Sequence, residues 1–174
     1  MIAVDRALSE MDGSRRRFLS ELEGLADPAF GQRPPRGGWS VAQVVEHIAR
    51  SEGTIATGFV AMMAGRAGPR FRWLDPLGRL AWTLGIYRVV TLRTVARLDP
   101  AEPLAREPAL AFLARSREQL LASLGPDPRL VTTVRLRHPI FGPLRGDEML
   151  QFVSRHEERH RRQIARIREA LASR

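Results

Sequence analysis

The stretch MLQFVSRHEERHRRQIARI, residues 149–167, decides the fold of this chain. Seven residues in it and just beyond it follow one another at steps of three or four, which is the spacing of one face of an α-helix. They are Met149, Val153, His156, His160, Ile164, Ile167 and Leu171. Because most of them are apolar, the pattern predicts a helix that turns this face toward a core. Two histidines stand in the middle of that face.

These histidines, His156 and His160, are four residues apart. The spacing places them within roughly 40° of each other around a helix, with Cβ atoms about 5–6 Å apart. Two imidazoles at that separation can bind one metal ion. A buried imidazole without a partner is costly, so something must satisfy the pair, and His47 is a third candidate. The residues alone leave an alternative open, in which both are core histidines hydrogen-bonded to neighbours and His47 is unrelated.

The length of 174 residues fits a single domain, residues 1–174, with room for a core. Hydrophobic residues make up 44% and charged residues 27%, the balance of an ordinary globular protein. The absence of cysteine excludes disulfides, cysteine-based zinc sites and a thiolate nucleophile. A metal site would have to use histidine, carboxylate and water, and any thiol would have to come from another molecule.

The net charge of +9 is carried by arginine, since all 28 basic residues are arginine. The arginines are spread from Arg6 to Arg174, which favours a solvated surface over a nucleic-acid interface. Asp5, Arg6 and Glu10 interrupt the first apolar residues, so no secretory signal is expected. The longest apolar run, residues 80–90, is too short to span a bilayer. We therefore expect a cytoplasmic protein with neither nucleic acid nor membrane as a partner.

Periodicity predicts four principal helices. The first follows an apolar stripe over residues 4–25, with Arg15 as a polar interruption, and Asp27-Pro28 ends it. The loop over residues 30–38 is rich in glycine and proline and is expected to be non-helical.

The second helix has a clear start. Ser40 is a natural N-cap, and Gln43 three residues later completes a capping box. His47 then falls on the flank of the buried face, from which it can point along the edge of the core toward a neighbouring helix.

A long crossover joins the second helix to the third. Residues 76–98 are interpreted as an additional apolar helix within it, ended by Asp99-Pro100. The third helix is expected to run from Pro108 to Leu124. Residues 131–137 are expected to form an extended arm, which is the only strand expected. The last helix is expected to begin near Asp147, which is its predicted N-cap. The expected fold class is all-α: a four-helix bundle with a long crossover between helices 2 and 3 and an extra helix in the crossover. Such bundles place metal sites between facing helices.

Three motifs of the chain carry a family resemblance. They are Trp39-Ser40-Val41-Ala42-Gln43-Val44-Val45-Glu46-His47-Ile48, the turn His138-Pro139-Ile140-Phe141-Gly142-Pro143-Leu144, and His156-x-x-x-His160 followed by Arg161-Arg162-Gln163-Ile164. In this order they resemble the DinB-like (DinB/YfiT) metalloprotein superfamily, which is unrelated to the DNA polymerase of that name.

The resemblance implies one divalent ion held by three histidines, at the matching positions His47, His156 and His160. Zinc, nickel and iron all suit imidazole ligands, so the identity of the ion stays open. Some members are thiol S-transferases that use mycothiol, bacillithiol or glutathione, and one is a mycothiol-dependent isomerase. The resemblance therefore implies a low-molecular-weight thiol as a candidate cosubstrate.

A homodimer is expected on two grounds. Members of the superfamily commonly form one, and the crossover offers more apolar side chains than a small bundle can bury alone. These side chains are Trp73, Leu77, Leu80, Trp82 and Leu84.

Two functions follow from these observations. The first is a metal-dependent transferase that activates a low-molecular-weight thiol. The second is a non-enzymatic, stress-associated bundle whose metal site is structural or vestigial. No acid–base pair beyond the histidines is visible, so no catalytic residue is assigned.

His138 is interpreted as a turn residue ahead of Pro139, and Glu157 as exposed. A further set is interpreted as a solvated stripe opposite the histidines: Arg155, Arg159, Arg162 and Arg166.

Overall fold

Four long helices form the bundle that periodicity predicts. The computed structural model describes residues 3–66, 68, 72–85, 98–100 and 102–173. Its helices are α1 (Ala3–Ser20), α2 (Asp27–Gly31), α3 (Val41–Met63), α4 (Asp75–Thr83), α5 (Arg106–Ala122) and α6 (Gly146–Ala172), and its strands are β1 (Arg135–His138) and β2 (Gly142–Arg145). The largest packing surfaces join α1 to α6 and α3 to α5, and α3 also packs on α6. None of the helices in the described ranges is long and apolar enough to cross a bilayer.

The first helix is shorter than its apolar stripe. It ends at Ser20, and the chain turns before α2 begins at Asp27. Asp27-Pro28 therefore starts a short helix instead of only ending the first one, because proline is tolerated in a helix's first turn. The prediction of a non-helical loop is wrong for its first two residues, Phe30 and Gly31, which complete α2.

The start of α3 is the predicted capping box. The Ser40 Oγ accepts a hydrogen bond from the Gln43 backbone N–H at 3.3 Å, and the Gln43 Oε1 accepts one from the Ser40 N–H at 3.1 Å. Because the box fixes the first turn, it also fixes the direction in which α3 projects His47, two turns further on.

Helix α4 covers only part of the extra helix predicted over residues 76–98. It ends at Thr83, and Gly85 has a φ of 69°, a left-handed conformation that favours glycine. Residues 86–97 of that prediction lie outside the described part of the chain. Trp82, predicted as surface, is buried and packs its ring 5.5 Å from that of Phe141.

The expected extended arm is half helix and half strand. A 3₁₀ helix (Pro128–Thr133) takes its first residues, and β1 takes the rest. The prediction of a single strand is wrong, because β2 pairs antiparallel with β1, placing His138 opposite Gly142. This hairpin leads directly into α6.

Helix α6 begins at Gly146 with Arg145 as its N-cap, two residues before the predicted N-cap Asp147. The Glu148 carboxylate accepts from the Arg145 backbone N–H at 2.8 Å, while Asp147 binds the Arg145 guanidinium instead of capping. A side chain at Gly146 would collide with the backbone of Val131, so only glycine allows α6 to start this close to the 3₁₀ helix.

Among the described residues, the core consists of two apolar clusters, one at each end of the bundle. Every long helix contributes to both, and between its two contributions each carries polar residues. We call this set the buried ionic cluster: Ser14, Arg15, Glu52, Ser116, Arg117 and Glu157.

The buried ionic cluster is paired throughout. Arg15 contacts Glu52 at 2.8 Å and Glu157 at 2.5 Å, and Arg117 contacts Glu52 at 2.7 Å and Glu157 at 3.3 Å. Burial alone would lower the pKa of Arg117, but the two carboxylates outweigh burial and raise it. The interpretation of Glu157 as exposed is therefore wrong, and the polar interruption at Arg15 is explained.

Candidate metal centre

Helices α3 and α6 bring three imidazoles together. The Nε2 atom of His156 lies 3.2 Å from Nε2 of His47 and 3.1 Å from Nε2 of His160. All three ligand atoms lie within 4.8 Å of one another. His47 and His160 are buried, and His156 is partly so. The three histidines predicted as ligands thus form one cluster.

Hydrogen bonds on the far side of two rings determine where their protons are. Nδ1 of His47 lies 3.0 Å from the carbonyl oxygen of Leu98, and because a carbonyl only accepts, this nitrogen carries the proton. Nδ1 of His160 lies 2.8 Å from the amide oxygen of Gln163 and donates to it in the same way. In a neutral imidazole the second nitrogen then has a lone pair, so both Nε2 atoms face the cluster as acceptors.

A cation fits this arrangement better than protons do. Nε2 of His156 can carry one proton at most, yet it faces acceptor nitrogens on both His47 and His160. Two imidazole nitrogens bound to one tetrahedral ion at 2.0–2.1 Å are separated by roughly 3.3 Å, which is close to the two spacings at Nε2 of His156, while the third pair, His47 and His160, lies within 4.8 Å. The donor set therefore fits a single divalent ion.

Burial keeps the three rings neutral. It lowers the pKa of His160 to about 3, with a smaller contribution from His47. Burial, followed by the neighbouring His160 and His47, holds the pKa of His156 well below its usual value. Burial also lowers the pKa of His47, although the Leu98 carbonyl and Asp99 oppose it. Neutral imidazole is the form that binds a metal, so protons compete little at neutral pH.

Aromatic rings enclose the histidines. The Trp39 ring lies 4.9 Å from that of His47 and stacks at 6.3 Å on that of His160. The Phe152 ring stacks on His156 at 5.1 Å, which encloses this imidazole although the residue keeps some exposed surface. These rings limit how water approaches the cluster.

His138 lies outside the cluster, as its interpretation as a turn residue requires. Its Nδ1 accepts from the backbone N–H groups of Ile140 and Phe141, at 3.2 and 3.1 Å. Burial lowers the pKa of His138 to about 4, so the ring stays neutral and can accept. His138 therefore holds the hairpin turn.

Arg159 departs from the predicted stripe opposite the histidines. It is half-buried, burial lowers its pKa, and its charge helps to lower the pKa of both His156 and His160. Arg159 thus contributes positive charge beside the cluster.

A cavity of about 680 Å³ lies elsewhere, between the end of α3 and the hairpin. Its lining includes Met62, fifteen residues beyond His47 and so roughly 22 Å along the helix. The carboxylate in its lining, Asp75, is paired with Arg137 at 2.9 Å. Since none of the described residues that line this cavity is a histidine, the convergent imidazoles define the candidate site.

The class of protein follows from these features: a four-helix bundle with a candidate three-histidine metal centre between facing helices. The sequence matches the DinB superfamily over residues 10–164. The chain belongs to the DinB superfamily.

Two comparisons cover nearly the whole chain. The sequence is 26% identical over 173 residues to the uncharacterized protein YuaE of Bacillus subtilis (strain 168), covering 94% of this chain and 98% of that protein. The fold is similar to the crystal structure of TT2238, a four-helix bundle protein, with a TM-score of 0.60 and 24% identity over 92% of this chain and 97% of that one. The second likeness supports the fold alone.

Several residues around the cluster were not assigned from the sequence. Gln163 stands in the third motif, three residues after His160, and this spacing was the available signal for its contact. Trp39 stands in the first motif, but nothing in that motif indicates that its ring contacts His47, and no local pattern identifies the backbone carbonyl of Leu98 as a partner of His47.

Proposed function

We propose that this protein binds one divalent metal ion through Nε2 of His47, His156 and His160 and uses the site to transfer a low-molecular-weight thiol to an electrophile. The observation that carries the proposal is the convergence of three neutral imidazoles, two of which have their acceptor nitrogens directed inward by hydrogen bonds on the far side. Zinc, nickel and iron are the candidate ions.

Three protein ligands are typical of catalytic sites, which keep a coordination position for water or substrate. A divalent ion in such a site lowers the pKa of a bound thiol or water, so that a nucleophile forms near neutral pH. The three histidines would hold the ion, and the rings of Trp39 and Phe152 restrict the access of water to it.

The thiol belongs to a cosubstrate, because the chain has no cysteine. In the proposed reaction the cosubstrate's sulfur forms a bond to an electrophilic carbon, the bond from that carbon to the leaving group breaks, and the thiol proton passes to solvent. Mycothiol, bacillithiol and glutathione are the candidate thiols.

Metal content tests the site. Purified wild-type protein offered zinc, nickel and iron should retain about one equivalent of one ion by elemental analysis, whereas His160→Ala should retain none, since two imidazoles bind far more weakly than three. The matched control is His138→Asn, which changes a buried histidine outside the cluster and should retain the ion. Equal metal content in wild type and His160→Ala would identify the histidines as core residues only.

Turnover tests the reaction. The loaded wild-type protein should accelerate the reaction of at least one of the three thiols with a chromogenic electrophile, and His160→Ala should not. A protein that holds its ion but turns over no thiol would favour the non-enzymatic bundle with a structural site.

A further inference from the structure

In the described part of the chain, one polar side chain forms a hydrogen bond to an outer ring nitrogen of the histidine cluster. It is the side chain of Gln163. Its amide oxygen lies 2.8 Å from Nδ1 of His160. The outer nitrogen of His47 is held instead by a backbone carbonyl, that of Leu98, which no substitution removes. Gln163 is therefore the point at which the orientation of the cluster can be changed without changing a ligand.

Helix geometry makes this contact a fixed one. Residues three apart on a helix are neighbours, so α6 itself delivers the Gln163 amide to the His160 ring. On the other side of the same ring, Nε2 of His160 lies 3.1 Å from Nε2 of His156. His160 thus has a potential acceptor on both sides, and the contact with Gln163 is what favours a proton on Nδ1 over one on Nε2.

We propose that Gln163 is a positioning residue that keeps the proton of His160 on Nδ1 and so presents its Nε2 as a lone-pair donor to the cluster. The hydrogen bond at one ring nitrogen sets which nitrogen is protonated. Without Gln163 the proton moves to Nε2, where His156 accepts it. An Nε2–H pointing into the cluster occupies the atom that would bind an ion.

The consequence for metal affinity rests on the function proposed above. Partners of ligating histidines typically change metal affinity 10–100-fold when they are removed. The position of the proton on His160 can be measured in the metal-free protein, so the two claims can fail separately.

The first experiment is long-range ¹H–¹⁵N NMR of the metal-free protein at neutral pH, which reports the protonated nitrogen of each histidine. We expect His160 to carry its proton on Nδ1 in wild type and on Nε2 in Gln163→Met, which keeps the chain length but has no acceptor. Gln163→Glu restores an acceptor and should restore the Nδ1 proton. The matched control is Gln151→Met, a half-buried glutamine of α6 that contacts Arg155 at 3.3 Å and should leave His160 unchanged.

The second experiment measures zinc affinity by competition with a chromophoric chelator. Gln163→Met should bind zinc about 10–100-fold more weakly than wild type, with Gln163→Glu at least as tight as wild type and Gln151→Met equal to it. An Nδ1 proton that persists in Gln163→Met would overturn the proposal, as would an equal loss of affinity in Gln151→Met. A wild-type protein that binds no zinc would overturn the proposed function, while the NMR result would still decide the role of Gln163.

Discussion

The histidines of this chain have different roles, and in His47, His138 and His160 the role is indicated by the hydrogen bond at the Nδ1 atom. In His47 and His160 the Nδ1 atom donates, which leaves Nε2 free to face the cluster. In His138 the Nδ1 atom accepts from two backbone N–H groups, so the proton is on Nε2 and the ring holds a turn. The chemistry available to each ring therefore depends on whether its neighbour is a donor or an acceptor.

His138 should make folding stability depend on pH. Burial lowers its pKa from 6.5 to about 4, so the unfolded chain binds a proton that the folded chain does not. Its stabilising contribution is complete above about pH 6.5 and is lost as the pH falls toward 4, by up to about 1.4 kcal/mol per pH unit. His138→Asn keeps an acceptor oxygen but does not titrate. Urea unfolding between pH 7 and 5 should show the advantage of wild type over this variant shrinking with acidity, and an advantage that is constant with pH would contradict the prediction.

At the scale of elements, the start of α3 matters most for the site, because this helix carries His47. Ser40→Ala removes the hydroxyl that accepts from Gln43 and should cost about 1 kcal/mol of unfolding free energy, measured in urea. Ser20→Ala, an exposed serine at the end of α1, is the matched control and should change stability by less than about 0.5 kcal/mol. Equal losses in the two variants would show that the capping box contributes nothing.

The long helices could be predicted from the sequence because each carries its own signal. Helix α3 has a capping box and α6 an apolar stripe, and both signals are local. Strand β2 has none: Gly142-Pro143-Leu144-Arg145 does not alternate and contains a proline, and it is a strand because β1 pairs with it. Element boundaries and strand pairing depend on contacts that periodicity does not contain.

The histidine cluster could also be predicted from local sequence signals. The spacing of His156 and His160 places both on one face, and the motif around His47 supplied the third. The buried ionic cluster could not be predicted from the sequence, because Arg15 and Glu157 are 142 positions apart and the chain offers 28 arginines as partners. A polar residue within an apolar stripe indicates that a buried partner exists but not which one.

At the scale of the whole molecule, the buried ionic cluster joins all four long helices. Glu52→Gln would leave two guanidinium groups sharing one carboxylate and should reduce the free energy of unfolding by about 3–5 kcal/mol, measured in urea with a chelator present. Glu10→Gln breaks an exposed pair with Arg6 and should change stability by less than about 1 kcal/mol. Similar effects of the two substitutions would contradict a structural role for the buried charges.

The exposed face of the crossover leads us to propose a homodimer. Trp73, Leu77, Leu80 and Leu84 follow at helical spacing and are 54% to 81% exposed. Light scattering at micromolar concentration should give twice the mass of 19.6 kDa, and Leu77→Glu should give the monomer because a charge in an apolar interface is costly. Leu19→Glu, at an exposed leucine of α1, should stay dimeric, and a monomeric wild type would contradict the prediction.

The buried ionic cluster also limits the number of compact states that this chain can adopt. Sliding α6 by one turn moves Glu157 by about 5.4 Å, out of hydrogen-bonding range of Arg15, which it contacts at 2.5 Å in the native packing. Apolar side chains tolerate such a shift more easily, since one leucine packs much like another, but an unpaired buried charge does not. Misaligned bundles therefore have a higher free energy than the native bundle. This widens the energy gap between the native state and the misaligned states. Because His156 adjoins Glu157, the alignment selected by the charges is also the one in which the three imidazoles meet.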